Sequence, residues 1–355
     1  MIRSAKVVSP INKGKFERIK VFLETYQQCV NYFIHRLWSE YRFHGTYLET
    51  SYIKSAKRRF NLTARLIQCA GKQALEVVKS QRKKSKRQQR MPHLKKQTAT
   101  LDSRFWKITE QKNSFEWVKI QSGFVFYIPF KRTKMWNKWI GKGFNISSSV
   151  RVSIRDDKLI LEFFFEKEAP SPKIEGSVEG LDLGYVNLAA CSDGQICGEE
   201  INKLIKSFDK RQKHTHKQIE QKAFYELKKL DLSNIKTLII ENLKVVKSKT
   251  RGMFSRRHNR RLSHWLYAKA TKWLEQRCEE SGVRLIRVSP WKTSQWCRFC
   301  NKWDRRNRKG ERFECVHCRY QDTADGNASK NLKLLGLAGV YNLRLLKTSP
   351  MDICP

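Results

Sequence analysis

The sequence predicts a chain in two parts: an N-terminal half of helices and short strands, and a C-terminal α/β domain with a small inserted ribbon. Three observations predict it. Apolar residues recur first at helical spacing and then, from about residue 101 to 168, in strand-like runs. Beyond a Pro170-Ser171-Pro172 linker, strand-like and helix-like segments alternate. Finally, two Cys-x-x-Cys pairs fall between the second and third of three spaced acids, Asp182, Glu241 and Asp325.

After a strand-like start at Lys6-Val7-Val8, residues Phe16, Ile19, Phe22, Leu23, Tyr26, Val30, Phe33, Ile34 and Leu37 mark one buried helix face. A second helix is expected over 62–84, with Leu66, Ile67, Ala70, Ala74, Val77 and Val78 inward. It runs into a basic tail containing Arg82, Lys83, Lys84 and Arg87, with no acid from 80 to 97. Like charges at that density repel, so the tail is expected to order only against phosphate. Runs at 115–120, 124–128, 150–154 and 159–163 read as strands, separated by turn signals such as Ser122-Gly123 and Asp156-Asp157. Their short, regular spacing predicts a β-barrel-like or sandwich domain. Between them Lys131, Arg132 and Lys134 are interleaved with Trp136 and Trp139. That mixture suits phosphate contact plus base stacking, and equally the core of a β domain.

Past the linker the expected order is strand (178–184), strand (186–191), short strand (195–199), helix (201–229), strand (236–241), helix (262–281), strand (284–288), the cysteine cluster, and a helix from about 326. Three early strands followed by alternating helix and strand is the order of an RNase H-like α/β domain. The expected domains are a β-rich part (1–12 and 98–168), a helical module with its basic tail (13–97), an α/β domain (174–290 and 322–355) and a ribbon (291–321).

Lys and Arg number 73 against 33 acidic residues, a formal net charge of +40 over 355 residues. Such an excess points to a polyanionic partner, because each phosphate neutralised releases counterions. No signal peptide, membrane-spanning run or amphipathic anchor is evident, so a membrane role is not expected and a cytoplasmic, nucleoid-associated location is. Four of the ten cysteines are paired and the rest are scattered, which argues for a reducing compartment and against a disulfide framework.

In strand 178–184, Asp182 points away from Leu181 and Leu183. An acid there costs free energy unless something pairs with it. Glu241 ends a strand apolar on both faces, as expected of a strand covered on both sides. Asp325 precedes a helix, where Asp is also a favoured N-cap, and Asp322 is close enough to be the alternative. Carboxylates from two strands and a helix can hold two Mg²⁺ ions, the arrangement that cuts phosphodiesters. The loop after Glu241 is rich in cations, among them Arg256, Arg257, Arg260 and Arg261, and is expected to guide a nucleic-acid strand. Cys297-x-x-Cys300 and Cys315-x-x-Cys318, fourteen residues apart, predict one structural Zn²⁺. The residues between them, including Arg305, Arg306, Arg308 and Lys309, are expected to touch nucleic acid.

The stretches Gly-Leu-Asp-Leu-Gly (180–184), Ile-Ile-Glu-Asn-Leu (239–243), Pro290-Trp291-Lys292-Thr293-Ser294-Gln295-Trp296-Cys297 and Asp325-Gly326-Asn327-Ala328 resemble the TnpB family. These are transposon-encoded RNA-guided nucleases related to type V CRISPR effectors. The stretches look like the three RuvC motifs and the inserted zinc ribbon. The resemblance is specific over 178–335; over 1–168 it is one of layout, a helical recognition module beside a β-rich wedge. It implies that Asp182, Glu241 and Asp325 are the RuvC metal ligands. It further implies a guide RNA, a double-stranded DNA target with its displaced strand, and cleavage of that DNA in a transposon or CRISPR-like system. Three departures stand out: Asn301 and Arg319 replace the glycine that often follows each knuckle, 199–235 is short, and Thr323 replaces an acid. Two other readings are an RNA-guided DNA binder that does not cut, and an RNA-independent RNase H-fold transposase or resolvase. All three acids are present, which opposes the first; the long basic N-terminal half opposes the second. Monomer and homodimer both remain open.

Overall fold

The stripe of apolar residues that begins at Phe16 forms helix α1 (Lys13–Ser39), burying Ile19, Phe22, Leu23, Tyr26, Cys29, Val30, Phe33 and Ile34. The structure is a computed structural model that describes residues 1–39, 48–112, 115–121, 124–184, 187–199, 201, 203, 215–242 and 267–339. It divides into two units, 1–168 and 169–355.

In the first unit, α2 (Thr50–Arg59) and α3 (Ala64–Arg82) follow α1. Thr63 caps α3 by accepting from the Leu66 amide, and its apolar stripe joins the core formed by α1. The end of the basic tail is tied down: Gln27 and Asn31 on α1 donate to the Leu94 carbonyl, and Leu94 N–H donates back to Asn31. Seven strands follow two patterns. Strands β1 (Ile2–Ser9), β2 (Thr98–Leu101), β6 (Asn145–Arg155) and β7 (Lys158–Glu166) form one antiparallel sheet in the order β1-β7-β6-β2. Strands β3 (Trp106–Lys112), β4 (Phe115–Gln121) and β5 (Val125–Phe130) form the second. Of the barrel-like and sandwich forms expected, the described strands form two separate antiparallel sheets. The β6–β7 hairpin turns at Asp156 and Asp157, both at positive φ (50° and 53°), which aspartate tolerates and which matches the twist of the flanking strands.

Helix α4 (Lys134–Gly141) was not foreseen. Both of its tryptophans are buried, Trp136 against Phe130, Phe163 and Phe165, and Trp139 with its indole N–H on the Ser4 carbonyl. Of the two roles open to this segment's tryptophans, the structure gives them the core.

The second unit is built on strands β8 (Ser177–Asp182), β9 (Ala189–Cys191), β10 (Ile196–Cys197), β11 (Ile235–Glu241) and β12 (Arg284–Val288), in the order β10-β9-β8-β11-β12. β8, β11 and β12 are parallel, while β9 and β10 meander antiparallel. Helices α5 (Thr215–Lys228) and α6 (Tyr267–Glu280) cover one face through Ile219, Ala223, Leu227, Ala270 and Leu274, packed with Leu181, Leu238 and Ile240. Helix α7 (Ala324–Leu337) takes the opposite face, where Leu332 and Leu335 meet Ile239 and Val288. Between β12 and α7 lies a ribbon whose strands β13 (Arg308–Lys309), β14 (Arg312–Glu314) and β15 (Gln321–Thr323) form a sheet of their own. No helix among the described residues is long and apolar enough to cross a membrane.

Candidate active site and metal centre

Alternation along two strands decides where the acids point. Leu181 and Leu183 enter the core beneath α5 and α6, so Asp182 faces α7. Leu238 and Ile240 enter the same core, so Glu241 also faces α7. Leu181 pairs in parallel register with Ile240, and one step on Asp182 and Glu241 stand side by side at the carboxyl ends of β8 and β11. That rim is where open α/β sheets bind ligands.

Asp325 arrives on α7, and glycine makes its approach possible. A Cβ at Gly180 would lie 2.0 Å from the Ser329 carbonyl oxygen and 2.6 Å from the Lys333 nitrogen, so only a bare Cα lets α7 pack on β8 this closely. Thr323, not Asp325, is the N-cap: its hydroxyl accepts from the Gly326 amide at 3.0 Å. Asp325 lies in the first turn with its carboxylate free of capping, and it accepts from Asn187 Nδ2 at 3.2 Å. Asp322 is committed elsewhere, to Lys330 and to the Tyr320 hydroxyl, each at 2.7 Å. Burial opposes ionisation of Asp322, but these bonds outweigh it and hold its pKa below the usual range.

The three converging acids behave oppositely. Burial, then repulsion from Glu241 and Asp325, pushes the Asp182 carboxyl well above its ordinary pKa. Burial likewise raises Glu241 against the bond from Thr293, and raises Asp325 against Arg308 and Asn187. Arg308, at the start of β13, favours the charged form of all three. Glu179 on the same strand β8 is a useful contrast. It is 3% exposed but bonded to Ser192 and, at 3.1 Å, to Lys333, so its charge is already answered. Among the described residues the three desolvated, mutually repelling carboxylates have no ion pair like that of Glu179 with Lys333, and such a donor set fits hard divalent cations.

The ribbon presents a different centre. Cys297 Sγ lies 3.6 Å from Cys318 Sγ and Cys300 Sγ 3.5 Å from Cys315 Sγ, and all four sulfurs fall within 4.8 Å of one another. A tetrahedron with zinc–sulfur bonds of about 2.3 Å has edges of about 3.8 Å, so four thiolates here fit Zn²⁺ and leave no open position. Among the described residues they are the one group drawn together tightly enough for a single ion. The two knuckles share one geometry. Cys297 N–H donates to the Lys302 carbonyl and Asn301 N–H to the Cys297 carbonyl; Cys315 with Tyr320, and Arg319 with Cys315, repeat the pattern. Asn301 and Arg319 occupy the left-handed region (φ 57° and 63°), the conformation glycine would supply.

Of the basic residues singled out, Lys83, Lys84, Arg87, Lys131 and Lys134 are exposed. Arg82 is turned inward, its guanidinium 4.0 Å over the Trp38 ring and donating to the Trp38 carbonyl. Arg132 is paired with Glu116. Lys86–Gln88 forms a short 3₁₀ turn within the basic tail. Arg256, Arg257, Arg260 and Arg261 lie outside the described residues.

Four residues around the acids went unassigned in the sequence: Asn187, Thr293, Asn327 and Asn331. Thr293 and Asn327 sit inside the motifs quoted above, which was the only signal for them.

A mixed sheet of this order, with acids at the carboxyl rim of its parallel strands and a four-thiol ribbon before its last helix, has the RuvC-like nuclease architecture. Residues 267–332 match the family described as Cas12f1-like, TNB domain. The CRISPR-associated endodeoxyribonuclease Cas12f1 of Sulfoacidibacillus thermotolerans is 35% identical over 77 residues, 21% of this chain and 18% of that protein. A Cas12f1 endodeoxyribonuclease of an uncultured archaeon is 27% identical over 107 residues, 28% of this chain and 20% of that one. The matched stretches thus span about a fifth of each relative. The Cas12f1 protein in a cryo-EM structure of the Cas12f1–sgRNA–target DNA complex shares the fold, with a TM-score of 0.54 at 17% identity over 89% of this chain and 82% of that one. Residues 267–332 are thus similar to the Cas12f1-like TNB domain, and the chain shares the fold of Cas12f1.

Proposed function

We propose that this protein is an RNA-guided DNA endonuclease whose active site is Asp182, Glu241 and Asp325, working with two Mg²⁺ ions. The observation that carries the reading is the convergence of three desolvated, mutually repelling carboxylates at one sheet rim. The similarity of residues 267–332 to Cas12f1-type proteins supports it. Asp182 and Glu241 from adjacent strands and Asp325 from α7 would hold the ions. When bound, such ions activate water, neutralise phosphoryl oxygens and assist the leaving oxygen in an in-line displacement.

The protein's own groups prepare that site. The rim, with Glu241 buried and Asp182 and Asp325 half-buried, desolvates the carboxylates, which strengthens every electrostatic contact made there. Arg308 offers a guanidinium to a phosphate lying against the acids, a planar fork suited to phosphate oxygens. The four cysteines hold one structural Zn²⁺ and so fix the ribbon that presents Arg308. A guide RNA, the target duplex and its displaced strand are the polyanions that a +40 chain accommodates. Base pairing would read the target sequence while the protein grips backbones. The four domains outlined from the sequence belong to this reading: a wedge, a recognition module, a RuvC-like domain and a zinc ribbon.

The test is to express the chain with its native flanking DNA, purify it at high salt and sequence the RNA it retains. One discrete RNA species, whose reprogrammed guide directs Mg²⁺-dependent cutting of a matching duplex, is the expected result. Retention of bulk degraded RNA only, with no guided cutting, would turn the assignment toward an RNA-independent recombination enzyme.

A further inference from the structure

The turn joining β12 to the first zinc knuckle is buried where a surface linker would be expected. Thr293 is 2% exposed, and its hydroxyl donates to Glu241 Oε1. Glu241 is gripped a second time through its backbone, whose carbonyl accepts the Tyr267 hydroxyl. The turn itself is held from α7 by two fully buried amides. Asn331 Nδ2 donates to the Thr293 and Trp296 carbonyls, each at 2.7 Å. Asn327 Nδ2 donates to the same Trp296 carbonyl at 2.7 Å, and Asn327 Oδ1 accepts from Arg298 N–H at 3.4 Å. Asn327 therefore brackets Cys297, binding the residue before it and the residue after it. Positions 327 and 331 are one helical turn apart and present both amides to one strip of backbone.

These contacts form one continuous frame. Asp325 lies on α7; two residues on, Asn327 of the same helix fixes the first zinc knuckle; Asn331 fixes the Thr293 carbonyl; and the Thr293 hydroxyl orients Glu241. Burying two primary amides and a hydroxyl costs free energy that their hydrogen bonds offset, all but Asn331 Oδ1 being bonded among the described residues, and a turn required merely to connect β12 to the ribbon needs none of them. We infer that Thr293 is a positioning residue: held by Asn327 and Asn331, it fixes one Glu241 oxygen as hydrogen-bond acceptor and aims the other at the divalent-ion site shared with Asp182 and Asp325. The inference rests on the reading of those acids as a metal site and goes beyond it, by assigning a role to a residue that touches neither metal nor substrate.

The experiment measures Mn²⁺ affinity by titration calorimetry, on the full zinc-loaded chain without nucleic acid, for wild type, Thr293→Val, Thr293→Ser and Asp182→Asn. Valine keeps the shape and removes the hydroxyl; serine keeps the hydroxyl. Loss of such an outer-shell partner costs about 10–100-fold in metal affinity. Thr293→Val is expected to weaken Mn²⁺ binding by that factor with zinc content unchanged by elemental analysis, and Thr293→Ser to stay within about threefold of wild type. Should Thr293→Val fail to fold, Thr293→Ala carries the same expectation. Weakening by Asp182→Asn together with wild-type affinity in the Thr293 variant lacking the hydroxyl would overturn the positioning role alone. Wild-type affinity in Asp182→Asn as well would overturn the carboxylate site and this inference with it.

Discussion

Thr323 decides what Asp325 is free to do. Asp322, Thr323 and Asp325 are all good N-cap formers, and spacing alone does not choose among them. The structure gives the cap to Thr323 and an ion pair with Lys330 to Asp322, which leaves the Asp325 carboxylate facing Asp182. The knuckle residues were more legible. Asn301 and Arg319 departed from glycine in the sequence, and both adopt positive φ. Asparagine tolerates that region, whereas arginine pays a steric penalty of about 1 kcal/mol there. Arg319→Gly is therefore expected to stabilise the zinc-loaded protein by up to about 1 kcal/mol, read as a higher urea midpoint. A lower midpoint would contradict the strain. The roles of Thr293, Asn327 and Asn331 were not legible for a different reason: they are hydrogen bonds between segments more than thirty residues apart.

At the scale of elements, long periodic segments were legible and short or polar ones were not. The stripe from Phe16 to Leu37 marked α1 because nine apolar residues repeat over six turns. Helix α2 (Thr-Ser-Tyr-Ile-Lys-Ser-Ala-Lys-Arg-Arg) buries only Ala56 and leaves no such stripe. Helix α4 has two turns, too few to show a period, so its tryptophans read ambiguously until Trp136 was found among Phe130, Phe163 and Phe165. Pairings such as Ile2 with Glu166 join the ends of a unit and carry no local signal. The closest packing in the second unit depends on one residue, Gly180, beneath α7. Gly180→Ala is expected to destabilise the protein by about 1–3 kcal/mol, because the added methyl must displace helix backbone rather than a flexible side chain. Urea denaturation within about 0.5 kcal/mol of wild type would show that α7 can retreat without cost.

At the scale of the molecule, the +40 charge points from composition alone to a polyanionic partner, the class that the proposed function makes nucleic acid. The identity of a guide or target is not legible there, because base pairing rather than protein would read it. The acid cluster also has a consequence for stability. Asp182, Glu241 and Asp325 have folded-state pKa values above their unfolded ones, so the metal-free folded state holds more protons than the unfolded state between the two. Their contribution to stability accordingly falls as pH rises from the unfolded carboxylate range through the raised folded values. In the proposed function Mg²⁺ would bind the deprotonated site and offset that loss. The rise in melting temperature on adding Mg²⁺ to nucleic-acid-free protein is expected to be larger at pH 8 than at pH 5; an equal rise at both would place Mg²⁺ elsewhere. The central claim is that these acids cut DNA rather than merely hold the fold. The most direct measurement compares Asp182→Ala with wild type, each loaded with the same RNA, in target binding and in Mg²⁺-dependent cleavage of the matching duplex. The account predicts cleavage lost and binding within about twofold, since the substitution removes an interaction made only on the path to the transition state. Cleavage that survives, or binding and cleavage lost together, would contradict it.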